Sequence, residues 1–229
     1  MALVRLETIR VVVFDLDDTL YPERAFAMSG FVAVGRWLTE RVHCPIDATA
    51  RMQELFETGH RGHVFDQLLA ELGVEAPESL VPQMIEHYRS HWPNIRLDEA
   101  AERAIKRWSG SCKLGLISDG PLLMQQRKVE ALGLAPRLDR IILTDAWGRA
   151  FWKPHVRAFE TIEQAWGHQG PACVYIADNP SKDFVAPKKL GWRTVRLRRS
   201  SGIYADATPG PGGTPELEVT TLDSIDIKT

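Results

Sequence analysis

The chain has little of what marks several large classes of protein. Its 229 residues include only three cysteines, Cys44, Cys112 and Cys173, far apart and without paired spacing. That excludes a disulfide frame and a Cys-x-x-Cys metal knot, and it suits reduced thiols in a cytosolic protein. Cys173 sits inside an apolar run and Cys112 just before another, which favours packing over a nucleophilic role. No apolar run approaches the ~20 residues that span a bilayer. The longest near the start, Val11-Val12-Val13-Phe14, is cut by Asp15. The N-terminus lacks the basic flank, apolar stretch and small-residue cleavage site of a secretory leader. Net charge is only −2, from 28 Lys+Arg against 30 Asp+Glu. No excess of either sign draws the chain to nucleic acid or to a membrane surface. The expectation is a cytoplasmic protein without nucleic-acid or membrane partners, a monomer or a homodimer. Lysine is missing before Lys106, and no internal repeat is apparent.

A hydrophobic content of 44% is ordinary for a globular protein, and the length allows one large domain with a smaller insert. Continuous apolar runs, rich in β-branched residues, predict buried parallel strands over residues 9–16, 113–118, 140–143, 172–177 and 192–197. Between the later ones, helices are predicted over 122–132, 154–166 and 184–190, each closed by a glycine. Alternating strands and helices predict an α/β fold, a Rossmann-like three-layer parallel sheet covered on both faces. From Tyr21 to His91 no strand is convincing; helical stretches run over 25–41, 47–57, 64–72 and 78–91. A block of that length is too long for a connection. It predicts an inserted helical cap over residues 21–91, with 1–20 and 92–229 as the core. Its Phe31, Trp37, Phe56, Phe65 and Tyr88 are expected to pack as the cap's own core. Beyond Ser200, Thr208-Pro-Gly-Pro-Gly-Gly-Thr-Pro215 must be a loop, with a short edge strand over 216–220.

Polar residues gather at the predicted carboxyl ends of the strands, where open α/β sheets bind ligands. The first strand ends in Asp15-Leu16-Asp17-Asp18-Thr19. Two carboxylates two apart there suit a hard divalent cation, although the same run alone reads equally well as a polar turn. The second ends in Ser118-Asp119-Gly120 and enters a helix through Pro121. A hydroxyl with free backbone N–H groups at a helix start can cradle phosphate, or simply cap the helix. Lys153-Pro154 offers a point positive charge. Asp178 ends the fourth strand and Asp183 follows five residues on, suiting a metal ligand and its supporting partner, or an Asx turn.

In that order these motifs resemble the haloacid dehalogenase-like hydrolase superfamily, subfamily I, whose helical C1 cap is inserted after the first motif. The resemblance covers roughly residues 9 to 200. It implies a phosphoric monoester hydrolase that acts on a small-molecule phosphate ester, a sugar or nucleotide phosphate. Asp15 would be the nucleophile and form an aspartyl-phosphate; Asp17 would be the general acid and base. Asp15, Asp178 and the main-chain carbonyl of Asp17 would hold Mg²⁺. Ser118, Asp119 through its N–H, and Lys153 would hold the phosphoryl oxygens. Thr19 would support the acid-base loop, and Asp183 would position Lys153 or a metal-bound water.

Asp17 argues against dehalogenation, since a halide needs no proton. A phosphonate-cleaving reading needs a cap lysine, and the predicted cap has none. A sugar-phosphate mutase stays open, because it uses the same two aspartates; so does a non-catalytic binding protein on this scaffold. A receiver-type phospho-acceptor domain is disfavoured, because there the phosphorylated Asp ends a later strand. In the predicted cap, Gly59-His60-Arg61-Gly62-His63 is the segment expected to face substrate, through His60, Arg61 and His63. Many relatives carry Asn after the second-motif hydroxyl, where this chain has Asp119. A carboxylate beside phosphate must turn away, cap the helix or meet a cation.

Overall fold

The structure, a computed structural model, describes residues 3–42, 44–73 and 77–229. The strands in chain order are β1 (Val4–Leu6), β2 (Val11–Phe14), β3 (Lys113–Ser118), β4 (Arg140–Leu143), β5 (Cys173–Ala177), β6 (Arg193–Leu197), β7 (Leu217–Val219) and β8 (Ile225–Ile227). The α-helices are α1 (Glu23–Thr39), α2 (Ala48–Glu57), α3 (Val64–Leu72), α4 (Leu80–Ser90), α5 (Glu99–Trp108), α6 (Leu122–Ala131), α7 (Arg157–Trp166) and α8 (Val185–Lys189). They form two compact units, Met1–Arg24 with Ile95–Thr229, and Ala25–Asn94. Among the described residues no helix is long and apolar enough to cross a membrane.

In the larger unit, all four residues of β2 are buried, as in a central strand covered on both faces. β2 pairs in parallel with β3 on one side and β5 on the other. The sheet order is β4-β3-β2-β5-β6-β7, and every pairing is parallel. Phe14 stands opposite Leu116 and Ile176. Asp15, Ser118 and Asp178 therefore leave the sheet at one edge, each within two residues of that common rung. The register brings together side chains more than a hundred residues apart in sequence. Phe159 of α7 packs edge-on against Tyr175 at 5.0 Å and Trp192 at 5.4 Å, tying the helix layer to β5 and β6. On the other side, Trp108 stacks on Phe14 at 5.9 Å.

The helix α5 lies outside the predicted ones, although its signals are present. Asp98 caps it by accepting from Ala100 N at 2.8 Å, Glu99 and Glu102 lie in its first turn, and Lys106 and Arg107 in its last. β1 and β8 form a separate two-stranded sheet that three-residue runs could not announce. The helix predicted from Pro154 starts at Arg157 instead. Residues before it make a turn, with His155 N bonded to Trp152 O at 2.9 Å, and the His155 ring accepting from Arg157 N at 3.1 Å.

The smaller unit is helical, and four of the five aromatics expected in its core pack on one another, while Trp37 meets the His87 ring at 4.4 Å. Phe31 meets Phe56 at 5.8 Å, Phe65 at 6.3 Å and Tyr88 at 5.7 Å. Gly30 lets Tyr88 lie against α1: a Cβ there would stand 2.4 Å from the Tyr88 ring.

Phe159→Ala should lower the unfolding free energy by ~3–5 kcal/mol in a denaturant titration. A loss below about 1 kcal/mol would mean the aromatic cluster does not anchor the helix layer.

Candidate functional site

The loop after β2 reverses sharply, with Thr19 N and Leu20 N both bonded to Leu16 O. Asp18 takes a left-handed conformation, φ 51°, which aspartate tolerates better than most residues. Its buried carboxylate accepts from Glu23 N at 2.8 Å and Ile203 N at 2.7 Å. Arg199 clamps the same loop from outside, donating to Asp18 O, Thr19 O and the Asp98 carboxylate at 2.8 to 2.9 Å. Thr19 is fully buried, and among the described residues its hydroxyl has no hydrogen-bond partner.

Asp15 is buried and paired with the Lys153 ammonium. Lys153 Nζ also lies 2.8 Å from Asp183 and 2.9 Å from the Tyr175 hydroxyl. Asp15, Asp178 and Asp183 each offer an oxygen within 4.8 Å of the others. Burial pushes Asp15 up from 3.8 to about 7, with Lys153 pulling the other way. Asp178 is driven well above its usual range by burial and then by Asp15 and Asp183. Its Oδ2 is buried and, among the described residues, has no hydrogen-bond partner. A buried, unpartnered carboxylate oxygen among crowded acids is what a hard divalent cation would satisfy. The donor set therefore fits such an ion.

Asp17, two residues on, has the opposite surroundings. Its side chain turns away from that acid cluster into a cage of donors. Lys128 of α6 lies 2.8 and 3.0 Å from its two oxygens, Gln125 donates at 3.1 Å, and the Tyr21 hydroxyl donates as well. Burial would raise its pKa, but Lys128, Tyr21 and Gln125 together hold Asp17 below the usual carboxylate range. Gln125 also donates to Ser118 Oγ at 2.6 Å, so one amide ties the hydroxyl to the acid. Neither Gln125 nor Lys128 was singled out in the sequence. Both are fully or almost fully buried polar residues of α6, at positions a helical pattern would assign to its core.

Ser118 is buried at the end of β3. The first amide of α6, Leu122 N, is already bonded to the Asp145 carboxylate at 2.9 Å, which leaves less of the helix start for phosphate than expected. The Asp119 side chain points to Thr144 Oγ1 at 2.7 Å, Lys153 N at 3.1 Å and Lys182 Nζ at 2.8 Å. Burial works against its charge, yet Lys153 and Lys182 together keep Asp119 below the usual range. A cavity of about 140 Å³ opens onto Asp15, Asp17, Lys128, Asp178 and Lys182. A larger surface cleft of about 430 Å³ beside Glu102, Lys106 and Arg137 has no comparable convergence of groups. His60, Arg61 and His63 belong to the smaller unit. His63 is exposed, 3.9 Å from Asp66, His60 lies 3.3 Å from Thr58 Oγ1, and Arg61 sits over the Phe56 ring at 5.1 Å.

The family model of the haloacid dehalogenase-like hydrolases matches residues 9–191. The chain is 30% identical over 213 residues to the glyceraldehyde 3-phosphate phosphatase of Methanocaldococcus jannaschii, covering 86% of this chain and 88% of that one. It is 23% identical to the phosphatase of the same name from Methanopyrus kandleri, over 92% and 93% of the two chains. The magnesium-bound HAD-hydrolase YfnB of Bacillus subtilis superposes with a TM-score of 0.67 at 19% identity, over 94% and 96% of the chains. The chain belongs to the haloacid dehalogenase-like hydrolase family.

The raised Asp15 and Asp178 fix the sign of a metal effect. Their ionisation in the fold is unfavourable, so without a cation stability falls as pH rises from about 4 through 7. A divalent cation needs the ionised forms. Millimolar Mg²⁺ should raise Tm, and by more at pH 8 than at pH 5.5. An equal or absent shift at pH 8 would count against the acid cluster as the site. Lys128→Met should cut turnover by about 10²-fold or more, since an acid-base group typically contributes 10²–10⁴-fold. Unchanged kcat would show that the cage around Asp17 is structural only.

Proposed function

We propose that this protein hydrolyses a small sugar phosphate through an aspartyl-phosphate on Asp15, with the helical unit of residues 25–94 as its cap. The observation that carries this is the contrast between Asp15 and Asp17. One is a crowded carboxylate beside Lys153, Asp178 and Asp183; the other sits in a cage of donors, with Glu23 as an acidic neighbour across the cavity. Environments that push two nearby acids apart are the mark of divided roles.

Asp15 attacks phosphorus, and the bond to the ester oxygen breaks. Asp17 gives its proton to the leaving oxygen and takes one back from the water that cleaves the aspartyl-phosphate. Lys128 favours the carboxylate form that accepts the water's proton; a phosphate dianion beside Asp17 shifts it towards the acid form. Ser118, fixed by Gln125, and Lys153, fixed by Tyr175 and Asp183, hold phosphoryl oxygens. Asp15, Asp178 and the Asp17 carbonyl would hold Mg²⁺, with Asp183 beside them. Bound there, the ion offsets the charge that otherwise keeps a carboxylate and a phosphate apart.

The cavity, about 140 Å³, falls below the ~300–1,000 Å³ of drug-sized sites. That supports a short substrate, in keeping with the three-carbon ester named for the archaeal relatives. The test is phosphate release from a panel of esters that includes glyceraldehyde 3-phosphate, with Mg²⁺ or with chelator. Metal-dependent release is expected. Asp15→Asn should lose at least ~10⁴-fold in kcat, as nucleophile removal does elsewhere, with an unchanged circular dichroism spectrum. No release from any ester would sink the reading. Isomerised sugar phosphate in place of free phosphate, once a bisphosphate primer is supplied, would replace it with a mutase.

A further inference from the structure

Asp119 poses a problem of charge: a carboxylate next to the phosphate-binding hydroxyl repels the phosphate. The structure shows where that charge is spent. Asp119 Oδ1 accepts from Thr144 Oγ1 and Lys153 N, and Oδ2 accepts from Lys182 Nζ at 2.8 Å. The carboxylate is almost fully enclosed, with 3% of its side chain exposed, whereas Lys182 is 36% exposed and lines the cavity. Two of the three bonds to Asp119 come from groups that stay put without Lys182. The aspartate is therefore a fixed anchor, and the lysine is what it holds.

The other two lysines at the site are each shared among several acceptors, and neither is oriented by Asp119 through its ammonium. Lys128 covers both oxygens of Asp17, and Lys153 is divided among Asp15, Asp183 and Tyr175. The ammonium of Lys182 has three donors and gives one to Asp119. It also comes from the loop that carries Asp178 and Asp183, so it stands over the same cavity as the candidate nucleophile.

We propose that Lys182 is an additional anion-binding group of this pocket, oriented by Asp119 to hold a phosphoryl oxygen of the substrate and of inorganic phosphate. The inference rests on the phosphatase reading for its substrate, but not for its test. Pairing with a carboxylate restrains a long side chain before the anion arrives, so less rotamer freedom is lost on binding. A neutral asparagine at 119 would hold the ammonium more weakly. The aspartate is thus the counterpart of the lysine, and the two positions work as a pair.

Inorganic phosphate is titrated into the Mg²⁺-loaded protein by calorimetry, which reads binding whether or not any ester turns over. Lys182→Met should weaken phosphate by about 10- to 100-fold, the range of one charge-assisted hydrogen bond. Lys182→Arg should retain most of the binding, which separates loss of charge from misfolding. Asp119→Asn should weaken binding by less than Lys182→Met does. The double variant D119N/K182M should match K182M, because Asp119 acts through Lys182. KM for an ester should move in step. Two results overturn the proposal: phosphate affinity unchanged in K182M, or affinity restored to the wild-type value in the double variant. The second would mean that Lys182 only neutralises Asp119. A wild-type protein that takes up no phosphate overturns it too. A wild type that binds phosphate but releases none from esters fails the phosphatase reading alone.

Discussion

A single buried ammonium organises this site. Lys153 stands between Asp15 and Asp183, with the Tyr175 hydroxyl as a third partner. Without it, three acids within 4.8 Å of one another could not be buried and ionised together. Even with it, burial and then the crowding of like charges keep Asp15 and Asp178 above their ordinary range. The remaining imbalance is the site's capacity for a divalent cation. Lys153 is itself fixed by the core. Tyr175 lies in β5 with Phe159 against its ring, so helix packing on the sheet reaches the ammonium through two contacts.

Asp17 shows how a backbone geometry assigns different work to neighbouring residues. Along the extended chain, residues two apart leave on the same side. The turn after β2 breaks that relation. Asp15 enters the acid cluster, whereas Asp17 meets Lys128, Gln125 and Tyr21. α6 supplies two of these donors, its fourth and seventh residues, and the same Gln125 restrains Ser118. The helix that follows the second strand therefore positions both the candidate acid-base group and the hydroxyl.

Much of this was legible in the sequence for a physical reason. Parallel strands buried on both faces leave long apolar runs, and the polar residue that ends each run marks one edge of the sheet. Asp15, Ser118 and Asp178 could be placed together on that basis. Residues that act from inside helices left no such trace. Lys128 and Gln125 lie in an ordinary amphipathic stretch, and only burial reveals them. Asp119 was legible as a departure; its partner Lys182 was not, because their contact spans 63 residues and two loops. The His60 to His63 segment carries glycines and charge, and within its own unit Arg61 and Gly62 line a cavity of about 230 Å³ with Phe31, Phe56 and Tyr88.

The segment after residue 198 shows why a loop-like composition says little about importance. Arg196, buried in β6, donates to Asp178 O at 3.3 Å and to Tyr204 O at 2.7 Å, while also reaching the carbonyls of Ala205 and Ala207. Arg199 and Ile203 N hold the Asp18 turn from the same side. Gly210 and Gly213 lie against the backbone of Ser181 and Pro180, where a Cβ would come within 2.5 and 2.7 Å. Glycine is needed there for close approach. The segment thus braces both acid-bearing loops at once, and it brings Tyr204 to the cavity wall. A chain ended at Leu197 would keep every residue of the four motifs, yet lose Arg199 from the Asp18 turn and the carbonyls that fix Arg196 against Asp178.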